Sequence, residues 1–381
     1  MTKKLKGLII LLAVTIPILA IASYYIVQNY GDTEEVEASI PQEMKVLPPE
    51  NGIYHSAFPF FGNTEDKVTA KKITNFERLA NKEIAWAFFS NHWNDELIFP
   101  EANVQTIHNA RKIPFIRLQP WNANKWWDGD HTNYYSMQKI INGNFDDQLI
   151  AWADAAKTTE IPLMVEFGCE VNGDWFPWCG KHNGGGTKTN YGDPTYPDGP
   201  ERYRDAYRHV IDLFETRNVN NITWAFHVNN WRYPWTNWNK AAKYYPGDNY
   251  IDWIGMSVYG AQYEDDEWED PINAMEEPYE ELCTLSPDKP IAIFEMGVDE
   301  NPNYNKAAWI RKAFNSIKDN DYPRLKAVSW WHEKWNEDGD IIDLRINSSA
   351  SAKRQYRKGV GTSLFVTEPV YSGMNALKSV K

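Results

Sequence analysis

The sequence predicts an α/β protein folded as an eight-stranded (β/α)8 TIM barrel, a single domain preceded by an N-terminal signal or membrane-anchor helix. Three observations carry this expectation. Eight short apolar runs recur from residue 53 onward. Amphipathic stretches separate most of them, the alternation that a closed parallel sheet requires. Many runs start near Pro, Lys or Asn and end in His, Glu, Tyr or Trp. Those are chemistry-bearing types at the strand end where barrels carry function.

The elements follow in order. Lys3, Lys4 and Lys6 precede the apolar stretch 7–27. Ala20-Ile21-Ala22 fits a cleavage signal, while the length to Val27 reaches the roughly 20 residues of a bilayer span. Cleaved signal and retained anchor both place the rest outside the cytoplasm, and the membrane is expected as a partner only through this segment. Residues 28–50, acidic and ending in Pro-Pro, read as a flexible spacer. The barrel is then expected over 51–381. Its strands are the runs 53–62, 83–89, 113–120, 161–167, 221–228, 251–259, 289–297 and 325–331. Helices are expected at Thr64–Ala80, Asp146–Lys157, Glu201–Thr216, Ile272–Cys283 and Asn305–Asp319. The third follows Pro200 and carries Tyr203, Tyr207, Val210, Ile211 and Phe214 at helical spacing. Residues 181–200, rich in Gly, Asn and Pro, form either an ordered lip or a lid.

Composition narrows the function. A net charge of −13 argues against nucleic acid and an anionic membrane surface as partners. The 18 Trp exceed what one core needs, and many stand beside Gly, Asn, Asp or Pro. Stacking on sugar rings competes with an aromatic-rich core as the explanation. Cys169, Cys179 and Cys283 are too few and too scattered for a disulfide scaffold or a zinc site. Cys169 and Cys179 could pair across a loop, but unpaired thiols are the simpler reading. His92, His227 and His332 all lie near strand ends without metal-binding spacing, so no metal and no cofactor is expected.

Glycoside hydrolysis needs two carboxylates beside one bond. Glu170 follows the fourth apolar run and Glu295 ends the seventh. Each alone could be a buried salt bridge; both at the loop end of their strands, among Trp-rich loops, point to catalysis.

The stretch "CEVNGDWFPW" (169–178) resembles the acid/base signature of glycoside hydrolase family 26, which includes β-mannanases. Glu170, Asn172, Gly173 and Trp175 match it. "YYPGDNYIDWIGMSVYG" (244–260) resembles the family's run into strand six, with Tyr259 matching the Tyr that supports the nucleophile. "IAIFEMG" resembles the nucleophile strand, with Glu295 matching, and "DLRINSS" (343–349) resembles a late segment. The similarity covers roughly residues 84–349, and the motif after strand four is its specific part. It implies an extracellular, retaining endo-β-glycanase, most like a β-mannanase, acting as a monomer on a polysaccharide. Glu295 is the implied nucleophile, kept ionised with help from the Tyr259 hydroxyl. Glu170 is the implied acid/base and must carry a proton when substrate binds. Trp330 or Trp331 falls where the family places a Trp under the sugar. Trp175, Trp178, His92, Asn172 and Trp231 are further candidates for contacting substrate.

Two positions depart from the family pattern. Its usual His before the acid/base and Arg four residues before it are Cys169 and Glu166 here. Arg117, near the end of the third run, is expected to restore a positive charge near Glu166. These departures also allow two alternatives: an inactive polysaccharide-binding barrel, and a transglycosylase acting on exopolysaccharide.

Overall fold

Eight parallel strands close into a barrel in the computed structural model, which describes residues 43–123, 125, 134–263, 266–300, 304–337 and 339–373. The strands are β1 (Ile53–Pro59), β2 (Trp86–His92), β3 (Ile113–Gln119), β4 (Leu163–Phe167), β5 (Ile222–Asn229), β6 (Trp253–Tyr259), β7 (Ile291–Gly297) and β8 (Leu325–His332). Each pairs in parallel with the next. β8 returns to β1 through a ladder from Tyr54–Ala327 to Pro59–His332, leaving no open edge in the ring. The expected eight runs are these eight strands. They are nearly continuous apolar sequence because the barrel interior buries one face and the helices the other.

The intervening helices are α1 (Ala70–Ala80), α2 (Glu101–Asn109), α3 (Met137–Ile141), α4 (Asp146–Thr158), α5 (Asp198–Thr216), α6 (Ala241–Tyr244), α7 (Pro271–Leu285), α8 (Lys306–Lys318) and α9 (Ala350–Val360). Four of the five expected helices lie within a few residues of their expected bounds. The first starts later than Thr64. Thr69 caps it by accepting from the Lys72 amide, and Glu65 sits in the left-handed region at φ +55. The segment 64–69 is therefore a loop, and it delivers Glu65 to the barrel mouth. α2, α3, α6 and α9 are not among the expected helices; α3 and α6 are each about a single turn, and α2 lacks a side-chain cap.

Aromatic side chains fill the lower barrel. Trp86 packs edge-on against Tyr54, Phe115 and Trp253, and its indole N–H donates to Ser329 Oγ at 2.8 Å. An indole polar group is thus satisfied inside an apolar layer. Much of the Trp excess is explained here: Trp86, Trp93, Trp152, Trp178, Trp253, Trp309 and Trp330 are all fully buried.

The signal or anchor segment and most of the spacer lie outside the described residues. Among the described residues no helix is long and apolar enough to cross a membrane. The end of the spacer is not loose, contrary to expectation. Val46–Leu47 pairs antiparallel with Val370–Tyr371, and the Val46 amide donates to Thr223 Oγ1 at 2.7 Å. A buried Val and a paired backbone hold this segment to the barrel. The Gly-rich stretch 181–200 is a folded lip. The Arg202 guanidinium ties it together by donating to the carbonyls of Asn183 and Asn190, each at 2.9 Å.

Candidate active site

The upper end of the barrel holds a buried polar layer. Strand register sets Arg117 of β3 directly beside Glu166 of β4, and Ser257 of β6 beside Glu295 of β7. Hydrogen bonds link the layer around the ring. Arg117 Nε donates to Glu166 Oε1 at 3.1 Å, and Glu166 Oε2 lies 2.8 Å from His227 Nδ1. His227 Nε2 lies 2.9 Å from Ser257 Oγ. Burial pushes the His227 imidazole down, but the Glu166 carboxylate, together with the Glu295 and Glu170 charges, leaves the ring above its ordinary value. The expected charge compensation at Glu166 is therefore present in space, supplied from the neighbouring strand.

Arg117 serves more than Glu166. Its Nη1 donates to Glu65 Oε2 at 2.9 Å, and Nη2 donates to Cys169 Sγ and stands 3.0 Å from Glu295 Oε1. The Nη2–Glu295 approach is a charge contact without hydrogen-bond alignment, since Oε1 has no hydrogen-bond partner. One guanidinium thus faces three carboxylates. Burial pushes the Cys169 thiol well up, so it remains neutral and does not compete for the Arg117 charge.

Glu295 is buried, and its Oε2 accepts from the Tyr259 hydroxyl at 2.6 Å. Its carboxyl is raised to about 7: burial raises it most, Arg117 draws it down, the Glu170 charge raises it, and His227 and Tyr259 draw it down. Tyr259 does help to hold this group ionised, as expected, but Arg117 is the larger influence, and burial outweighs both. The Tyr259 hydroxyl is itself pushed up by burial and by the Glu295 and Glu170 charges, so it stays a donor.

Glu170 lies just past β4, where the chain reverses through Gly168 at φ +59 and Glu170 at φ +52. A Cβ at position 168 would come 2.9 Å from the Trp178 ring, so only glycine fits there. A left-handed Glu costs about 1–3 kcal/mol and persists only where its surroundings impose it. They do so here. Trp175 Nε1 donates to Glu170 Oε2 at 2.8 Å, Asn229 Nδ2 donates to Oε1 at 2.7 Å, and the Gly173 amide donates to the Glu170 carbonyl.

The structure separates the remaining sugar-contact candidates. Trp175 is partly exposed beside Glu170. Trp178 is fully buried, stacked on Phe176 at 4.4 Å with its N–H on the Cys169 carbonyl, so it packs the loop and meets no sugar. Trp330 is likewise excluded. Strand alternation turns it outward against Trp309 and Tyr356 of α8 and α9, with its N–H on the Leu344 carbonyl. Its neighbour Trp331 turns inward, stacked on Phe58 at 4.2 Å with the Arg117 guanidinium 5.1 Å from its ring centre. Asn172 is buried, and its side chain exchanges two hydrogen bonds with the Asn229 backbone, both at 2.8 Å. It braces Asn229 instead of reaching a ligand. Asn229 is the residue the sequence reading missed; it stands two residues beyond His227, on the same face of β5, and that spacing was its signal.

His92 lines a cavity of about 580 Å³ over β2 and β3, with Gln119, Trp121 and Phe176. Burial pushes its imidazole down. Trp231 is exposed on the loop after β5. Cys169 and Cys179 are free thiols. Among the described residues Glu166, Cys169, His227 and Glu295 offer metal-ligand atoms within 4.8 Å of one another, but Arg117 contacts three of these four. A guanidinium in that position repels a cation. His92 and His332 are not part of this group.

The model of glycosyl hydrolase family 26 matches residues 89–324. Endoglucanase H of Acetivibrio thermocellus is 27% identical over 316 residues, 81% of this chain. Mannan endo-1,4-beta-mannosidase A and B of Caldalkalibacillus mannanilyticus is 28% identical over 50% of this chain. The chain spans 31% and 32% of the length of these two relatives. The catalytic domain of the Bacillus sp. JAMB-750 GH26 endo-beta-1,4-mannanase shares the fold, with a TM-score of 0.59 at 17% identity, covering 83% of this chain and 88% of that one.

Proposed function

Because the chain belongs to glycosyl hydrolase family 26, we propose that it is a retaining endo-β-glycanase of β-mannanase type, working by double displacement on Glu295 and Glu170. The observation that carries this is the pair of differently held carboxylates. Glu295 has a hydroxyl donor and a guanidinium beside it, and Glu170 has two N–H donors in an imposed backbone conformation.

In the first step Glu295 attacks the anomeric carbon. The glycosidic C–O bond breaks, and the Glu170 proton passes to the departing oxygen. Glu295 becomes an ester and loses its charge, which removes the repulsion between the two carboxylates. Glu170, now ionised, takes a proton from a water molecule. The water oxygen attacks the same carbon, and Glu295 leaves as a carboxylate. Arg117 and Tyr259 stabilise that carboxylate before the reaction and again on its release. Trp331, Trp175 and the cavity beside His92 supply apolar faces and polar groups for the glycan.

The match to Endoglucanase H spans more of the chain than the match to the mannosidase. It favours β-glucan as the second substrate class. The apolar run 7–27, preceded by Lys3, Lys4 and Lys6, supports action outside the cytoplasm, secreted or held at the outer face of the cytoplasmic membrane. A panel of mannan, mixed-linkage β-glucan and xylan with reducing-end detection tests the proposal. Internal cuts in mannan, or in β-glucan, are expected. Binding to one of these polymers without any new reducing ends would replace the enzyme by a binding barrel.

A further inference from the structure

Trp231 and Trp235 are 47% and 52% exposed, beside Tyr233 at 57%. Large rings left in water are normally an unrecovered hydrophobic cost, or a surface that a ligand covers. Their loop is rigidly built. The Trp231 amide donates to Asn229 Oδ1 at 2.8 Å, the Tyr233 amide to the Asn172 carbonyl at 2.8 Å, and Asn239 Nδ2 to the same carbonyl at 2.7 Å. The Arg232 guanidinium lies 3.6 Å from the Trp235 ring centre and is paired with Glu277 and Glu281 of α7, covering one ring face. The two indoles stand 5.8 Å apart, tilted by 49°.

Position decides what covers them. Asn229 joins the loop to the acid: its Oδ1 holds the Trp231 amide and its Nδ2 holds Glu170 Oε1. The proton of Glu170 goes to the departing oxygen, so the arm of glycan carrying that oxygen leaves on the Glu170 side. Resting on the double-displacement reading above, we infer that Trp231 and Trp235 are a fixed stacking platform for the leaving-group arm of the polysaccharide, the sugars on the reducing-end side of the cut. The same rings bind an incoming sugar alcohol during the second step, so they also set the balance between water and sugar as acceptor.

The test uses the full chain with Trp231→Ala and Trp235→Ala, both exposed positions where folding is not at stake. Manno- and gluco-hexasaccharides labelled at the reducing end report where the cut falls. The platform predicts that cleavage moves toward the reducing end in the variants. It also predicts a loss in kcat/KM on the hexasaccharide exceeding the loss on an aryl glycoside by about tenfold or more. A move toward the non-reducing end, or an unchanged cleavage pattern, overturns it. Titrating the same oligosaccharides into Glu170→Ala with and without Trp231→Ala, followed by indole fluorescence, separates the two claims. Weaker binding with an inactive wild type retains the platform and removes the hydrolase; equal affinity removes the platform.

Discussion

Arg117 Nη2 stands 3.0 Å from Glu295 Oε1, setting a cation from the third strand against a carboxylate from the seventh. The Glu170 charge acts on the same carboxylate in the opposite sense. Glu295 is held at about 7, and it must be ionised to attack. The acid limb of kcat/KM should therefore fall near that pH. Arg117→Met should move the limb to higher pH. A limb that stays in place in Arg117→Met would break the assignment.

The same group links stability to pH. Folded Glu295 binds its proton more tightly than in the unfolded chain, so its contribution is fully present below about 4.5. That contribution is lost as pH rises through about 7. Glu295→Gln carries no charge to bury. Its Tm should gain on the wild type more at pH 8 than at pH 5, by calorimetry at both values. An equal difference at the two pH values would mean that burial does not burden this carboxylate.

Trp175 separates stacking from proton handling. Trp175→Phe keeps a ring and loses the N–H on Glu170 Oε2. A hydrogen bond to a charged group contributes about 1.5–3 kcal/mol. Roughly tenfold or greater loss on substrates with poor leaving groups is expected, with a smaller loss on activated ones. Equal losses on both would place Trp175 in binding alone.

Trp178→Ala should behave as a core deletion, costing about 3–5 kcal/mol of stability. The folded fraction should keep its KM, because the ring is buried behind Phe176. Trp331→Ala should instead raise KM. A raised KM for Trp178→Ala with unchanged Tm would return that ring to the cleft.

The barrel and its two strand-end glutamates were legible because both follow from local pattern. Apolar runs mark strands, and polar residues that interrupt them at the C-terminal end mark the mouth. What was not legible depended on direction. Trp330 and Trp331 are adjacent, and only the phase of β8 tells which one faces the barrel. Trp178 sits among loop residues, yet the reversal at Gly168 and Glu170 folds it inward. The motif points to Asn172 as a ligand contact, but the chain uses it to fix Asn229 one strand away. Arg117 was legible as a charge near Glu166; its reach to Glu295 and Glu65 requires the register between β3 and β4 and the loop that brings Glu65 across.

Double displacement by Glu295 and Glu170 is tested most directly by the configuration of the newly formed sugar end. Proton NMR in the first minutes of oligosaccharide hydrolysis, before mutarotation, reads that anomeric centre. The proposed mechanism predicts the β-anomer first, with the α-anomer growing in only as mutarotation proceeds. The α-anomer appearing first would mean a single displacement by water, and Glu295 would not be the nucleophile.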